Sequence, residues 1–287
     1  CNGDSPGNYG SQRALVDINE GGFPVIMGGT DSDRVTISYS DTSQTFRINV
    51  AGGGVPSGRC EGAGPDVNQS LPEVIDCPAD RNNLDGMLVY GGDGADDIRL
   101  ADSIPKNMST TLNGGTGRNE IRGGPSKDFI STSYGSAGSV MFGGGNNDLI
   151  YVNDRVEVHG GEGTDNTQIL APCSGSIADG GPGNDSAVFA GSPRGVKADL
   201  GEGYVEWLNG NCASRTLFAA TIERLEGSPY ADWLIIGKRH PAQQGKSSLL
   251  GREGINILDS KNGRRDTVTT GPEARSNKVI RDRIDKV

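Results

Sequence analysis

Nine times between residues 96 and 268 the chain ends a turn-like stretch with an Asp or Asn and sets a fixed strand position two residues later. The acid or amide positions are Asp96, Asn119, Asp128, Asp148, Asp165, Asp185, Asp232, Asn256 and Asp266. The residues two beyond are Ile98, Ile121, Ile130, Ile150, Thr167, Ala187, Leu234, Leu258 and Val268. Seven of these nine are large aliphatics, as expected of one inward-facing strand position repeated coil after coil. The successive spacings are 23, 9, 20, 17, 20, 47, 24 and 10. A half-turn of about nine residues and a full coil of about 18 explain both clusters of values, with insertions supplying the excess.

Composition agrees with a coil of many turns. Glycine and proline together supply 60 of 287 residues, against roughly 12% in average usage. The glycines come in spaced clusters that lead into Ile, Leu or Val, which favours turns joining short strands over disorder. Aromatics make up 5% and hydrophobic residues 33%, so a thin, elongated core is expected. The expected fold class is all-β.

The formal charge is −10. Residues 261–287 carry eight Lys/Arg against four Asp/Glu, which leaves −14 on the remainder. Duplex binding is disfavoured, because phosphate contacts need basic surface. No apolar run approaches the roughly 20 residues of a membrane helix. Five cysteines without a C-x-x-C pair suggest disulfides and an oxidising compartment. Five with one left over allow fifteen arrangements. The preferred pairs, Cys60 with Cys77 and Cys173 with Cys212, each bracket one polar loop. Cys1 is then left over, as a lipid-modified N-terminus of an exported protein, a free thiol, or an artefact of where the chain begins.

Taken in order, the chain divides into three parts. Residues 1–88 read as an N-terminal β cap with a cysteine loop. Alternation runs through Arg34-Val35-Thr36-Ile37-Ser38-Tyr39 and Thr45-Phe46-Arg47-Ile48-Asn49-Val50, with a hairpin turn at Asp41-Thr42-Ser43-Gln44. Residues 89–270 read as the solenoid, interrupted by an insertion at 190–226 that carries the second cysteine loop. Residues 271–287, where the pattern decays, read as a C-terminal cap, since terminal coils must face solvent.

The glycine clusters resemble the nonapeptide repeats of the hemolysin-type calcium-binding (RTX) family, Gly-Gly-x-Gly-x-Asp followed by an apolar position. Residues 91–98 and 180–187 keep all three glycines and the aspartate, the second with Ala at the apolar place. Gly160-Gly161-Glu162-Gly163-Thr164-Asp165 also matches, with Thr167 departing. Gly143-Gly144-Gly145-Asn146-Asn147-Asp148 has Asn for the third glycine, and Gly123-Gly124-Pro125-Ser126-Lys127-Asp128 has Ser. Residues 114–121 carry Asn119 for the acid, and residues 251–258 match more weakly. The resemblance covers residues 90–189 well and 222–270 loosely. It implies a right-handed parallel β-roll with calcium in the turns.

The residues support that chemistry separately. Ca²⁺ takes six to eight oxygens from carboxylates and carbonyls, and glycines expose their carbonyls at positive φ. Asp128, Asp148, Asp165 and Asp185, separated by 20, 17 and 20 residues, should stack on one edge and offer the best inter-coil sites. Asp96 and Asn119 should lie on the other edge, where Asn119 weakens the site. Carbonyls of Gly144, Gly161, Gly163, Gly181 and Gly183 are the expected co-ligands.

Catalytic constellations are scarce. The two histidines, His159 and His240, form no metalloprotease motif, and no Gly-x-Ser-x-Gly elbow is present. The acid pair Asp96-Asp97 could serve a glycosidase, but neighbours in a strand face opposite sides. The expectation is therefore an exported calcium-binding structural or interaction protein of a bacterial surface, matrix or filament, able to self-associate, and not an enzyme. Two alternatives stand: a polysaccharide-acting β-helix enzyme, and a secretion or folding module of a larger enzyme.

Overall fold

A computed structural model of the chain describes residues 14–18, 23–51, 54–57, 59–61, 73–79, 84, 86–210, 212–237, 247–272, 276–283 and 285–286. Cys1 and His240 lie outside the described residues. Every regular element among them is a strand, and no helix is long and apolar enough to cross a membrane. The chain forms two compact units, Cys1–Val140 and Met141–Val287.

In the first unit the strands sort into two mixed sheets. One aligns Pro24–Met27, Gly86–Tyr90, Ser109–Asn113 and Lys127–Ser131 in parallel. The other aligns Arg34–Ser40, Asp97–Leu100 and Glu120–Arg122 in parallel. The chain visits the sheets alternately, so each coil contributes one strand to each. The predicted hairpin is present: Arg34–Ser40 pairs antiparallel with Thr45–Val50, and that strand pairs antiparallel with Val74–Pro78. The coil register reaches upstream of the Gly91 turn, because Pro24–Met27 and Arg34–Ser40 are themselves rungs of the parallel sheets.

The second unit repeats the design. Leu149–Val152, Asn166–Ile169, Asp185–Val188, Ile222–Glu226, Ser248–Leu250 and Thr267–Thr269 follow one another in parallel. Opposite them, Glu157–Glu162, Ile177–Asp179 and Thr216–Phe218 form one parallel run. Val196–Asp199, Trp233–Ile235, Ile257–Asp259 and Lys278–Ile280 form another. Tyr204–Trp207 joins the two runs, antiparallel to both neighbours. Residues 190–226, which break the sequence pattern, are thus spliced into the sheets. Their alternation explains it: Val196, Ala198, Val205 and Phe218 are buried.

The aliphatic position two beyond each acid faces inward throughout. Val35, Ile98 and Ile121 lie in register, as do Leu234, Leu258 and Val279. Ile150, Thr167, Ala187, Leu225, Leu249 and Val268 form a third column. Apart from Val279, which is half-buried, these side chains are shielded from solvent. Burying each Ile or Leu contributes about 1.5–3 kcal/mol. The core is a thin stack of such columns, as the low aromatic content implies. Both expected disulfides are present, Cys60–Cys77 and Cys173–Cys212.

Candidate metal centre

Each motif acid sits at the corner where a turn enters a strand, and its side chain points inward. Asp96, Asp165 and Asp185 are no more than 2% exposed. One oxygen of each has a fixed task. Asp96 Oδ1 accepts the backbone N–H of Asp33 at 2.8 Å, while the N–H of Asp96 donates to Asn119 Oδ1 at 2.9 Å. On one edge of the second unit, the N–H of Asp148 donates to Asp165 Oδ1, that of Asp165 to Asp185 Oδ1, and that of Asp185 to Glu223 Oε2, each at 2.8 Å. The opposite edge carries a ladder through Val196, Asp232, Asn256 and Asn277 at 2.7–2.8 Å. In each of these ladders the amide at the corner of one coil is thereby capped by a side chain of the next.

This ladder is a role that ligand chemistry alone does not suggest. The exchange of Asp for Asn at positions 119 and 256 was its signal in the sequence. The two residue types share Oδ1, and Oδ1 makes the rung.

The second oxygen separates the corners into two kinds. At Asp128 it accepts the N–H of Gly124 at 2.8 Å, while Oδ1 takes hydroxyls from Thr110 and Ser126 at 2.5 and 2.7 Å. Asp232 Oδ2 accepts the N–H of Ser228 at 2.7 Å, with the Ser228 hydroxyl on Oδ1. Asp33 Oδ2 accepts the N–H of Gly29 at 3.0 Å. In all three, the donor lies four residues before the acid. These corners are closed by the protein's own donors.

At Asp96, Asp165 and Asp185 the second oxygen is buried without a hydrogen-bond partner, and Asp266 joins them from a turn lacking the double glycine. At the three glycine turns the cause is the backbone four residues earlier; at Asp266 the residue in that place, Asn262, lacks positive φ and its N–H donates to Asp282 Oδ2 at 3.0 Å. Gly92, Gly161 and Gly181 stand at φ +100°, +105° and +91°, whereas neither Gly124, Ser228 nor Gly29 has positive φ. A left-handed residue rotates its N–H away from the carboxylate; that of Gly161 donates instead to the Gly180 carbonyl at 3.0 Å. Only glycine adopts this conformation without cost. Acceptors gather where the amide has left. A methyl group built on Gly91 would come 2.5 Å from Asp96 Oδ2 and 2.6 Å from the Gly114 carbonyl oxygen. One on Gly180 would meet Asp185 Oδ2 and the Thr221 carbonyl oxygen, both at 2.6 Å.

These open corners resist ionisation. Burial, reinforced by the charges of Asp33 and Asp93, raises Asp96 to about 6. Burial and the charges of Asp165, Glu223 and Asp179 raise Asp185 to about 7. Burial also raises Asp165. Among the described residues no three His, Cys, Asp or Glu side chains gather closely enough to hold a metal, so main-chain carbonyls would have to complete a coordination shell. The glycine turns carry such carbonyls. Gly144 and Gly163 have positive φ, as does Gly161, and Gly181 stacks directly on the Gly161 carbonyl, whose oxygen would lie 2.5 Å from a methyl group there. A buried carboxylate oxygen lacking a donor, with a carbonyl oxygen of the next coil near the same glycine, presents oxygen ligands of the kind hard cations take.

The remaining sequence candidates fall elsewhere. Asp148 stacks with Asp165 and Asp185 as its spacing predicts, and Asp96 and Asn119 share the other sheet from Asp128 in the first unit. Asp128 differs from the expectation of a ligand: hydroxyl and amide donors already occupy both its oxygens. Asp97 faces outward to Arg34 and Arg99 at 3.3 and 2.6 Å, on the opposite side from Asp96, so the pair does not converge. His159 lies on a half-buried face, stacked on Phe142 and 2.9 Å from Glu157. No protein-family model matches the sequence, and no curated protein resembles it significantly.

Proposed function

We propose that this chain is an exported structural or interaction protein whose coils are tied together by calcium. The observation that carries the reading is the set of buried, donor-less carboxylate oxygens at Asp96, Asp165 and Asp185. Those oxygens, with Asp148 on the edge shared by Asp165 and Asp185, and the carbonyls of Gly144, Gly161, Gly163, Gly181 and Gly183, would hold the ions. Bound calcium would supply the charge neutralisation that the fold withholds at these corners. The sites exist only once adjacent coils are stacked, so binding energy adds to folding energy. Asp128 is left out of the set because its own turn satisfies it.

The two disulfides favour an oxidising, extracellular setting. A bacterial surface, matrix or filament component that self-associates through its coil edges fits this chemistry, and light scattering with and without calcium tests the association. The calcium reading itself is tested by thermal melts. EDTA should lower the Tm, millimolar calcium should restore it, and magnesium should do so poorly, since it prefers a tight octahedral shell. An unchanged melt in chelator sinks the reading.

A further inference from the structure

Two corners of the open type carry Asn in place of Asp, and their geometry shows what the open corners lack. Asn119 and Asn256 keep the ladder through Oδ1, which accepts the amides of Asp96 and Asp232 at 2.9 and 2.8 Å. Their second atom is Nδ2, a donor. Asn119 Nδ2 donates to the carbonyls of Gly115, Thr116 and Gly117 at 3.4, 3.4 and 3.2 Å. Asn256 Nδ2 donates to those of Gly251, Glu253 and Gly254 at 3.0, 3.1 and 3.2 Å. Both side chains are nearly or fully buried, at 2% and 0% exposure.

The backbone places them in the open class. The residues four before them, Gly115 and Arg252, have φ +73° and +37°, like Gly92, Gly161 and Gly181. The second side-chain atom also occupies the same place in both sets. A methyl group on the first glycine of the turn would lie 2.9 Å from Asn119 Nδ2 and 3.1 Å from Asn256 Nδ2, and 2.5 Å from Asp96 Oδ2 and from Asp165 Oδ2. One backbone shape therefore turns its carbonyls toward the second atom. An amide nitrogen answers them with two hydrogens; a carboxylate oxygen only repels them.

We infer that Asn119 and Asn256 are built-in substitutes for the cation, so that their turns close without metal while the equivalent Asp turns need it. Calcium occupancy is thus set turn by turn, by one atom on one side chain. This inference rests on the calcium reading for the Asp turns, but its claim about the Asn turns can be tested without calcium.

The experiment compares wild type, N119D, N256D and D165N by thermal melts in EDTA and in millimolar calcium, with calcium stoichiometry from titration calorimetry. N119D and N256D should each lower the Tm in EDTA by about 5–10 °C. Each should recover in calcium and bind one more ion than wild type. D165N should bind one fewer ion and melt at or above wild type in EDTA, because its new Nδ2 satisfies the turn carbonyls. If no protein responds to calcium but D165N still melts higher in EDTA at neutral pH, the calcium reading fails and the role of the amide stands. If wild type responds to calcium while D165N is destabilised in EDTA, or the Asn→Asp variants gain no ion, the inference is overturned.

Discussion

The corners at Asp128 and Asp165 start from the same inward acid and are completed in opposite ways. Around Asp128, Ser126 replaces the third glycine and Gly124 avoids positive φ, so hydroxyl and amide donors fill the carboxylate. Around Asp165, Gly163 stands at that third place and Gly161 is left-handed, so the amide points away and the second oxygen is bare. The acid itself decides neither outcome. At these two corners the conformation four residues upstream determines whether the protein supplies a donor to its own buried carboxylate or leaves the oxygen bare.

The largest expected effect follows directly. Chelation should open the Asp148–Asp165–Asp185 edge and leave the Asp128 and Asp232 corners closed. Hydrogen exchange in EDTA should then lose protection by an order of magnitude or more at the amides of Asp148, Asp165 and Asp185. The amides of Gly124 and Ser228 should stay protected; uniform loss would erase the distinction between the two kinds of corner.

A smaller effect, of opposite sign to D165N, is expected from D128N. There Oδ1 can keep the Gly124 amide only by turning Nδ2 onto the Thr110 and Ser126 hydroxyls, which must then accept, and a charge-assisted acceptor is lost. A cost of about 2–4 kcal/mol follows, the same in EDTA and in calcium. Denaturant unfolding measures it, and a rescue by calcium would show that Asp128 belongs with the open corners after all.

The smallest effect is in pH. An unfolded aspartate titrates near 3.8, whereas Asp96 and Asp185 are raised to about 6 and about 7. Because these folded values lie above the unfolded one, the stability contributed by a held proton is complete below about pH 4. It is lost as pH rises through 6 and 7. In EDTA the Tm should therefore fall by a few degrees between about pH 5 and pH 8, and saturating calcium should remove or reverse that slope. A Tm that rises with pH in chelator would mean the open carboxylates are relieved by something other than a proton or a cation.

Much of this was legible in the sequence. The recurring acid, the aliphatic residue two places on and the spacings near nine and twice nine determined stacked parallel coils, because period-two inward positions and glycine turns leave few other ways to bury a thin core. The two cysteine loops indicated their own pairing. The stretch at 190–226 was legible only as a break; its strands join the sheets because Val205 and Phe218 find buried places there, a matter of long-range registry. Tertiary structure alone decided what each acid does. Asp96, Asp128, Asp165 and Asp232 all fill the same position of the repeat, yet the rung made by Oδ1 and the surroundings of Oδ2 depend on a neighbouring coil and on a backbone angle four residues away. Local sequence supplies the carboxylate, and the direction of nearby N–H and C=O groups, set only when the coils stack, determines whether it is satisfied or left open.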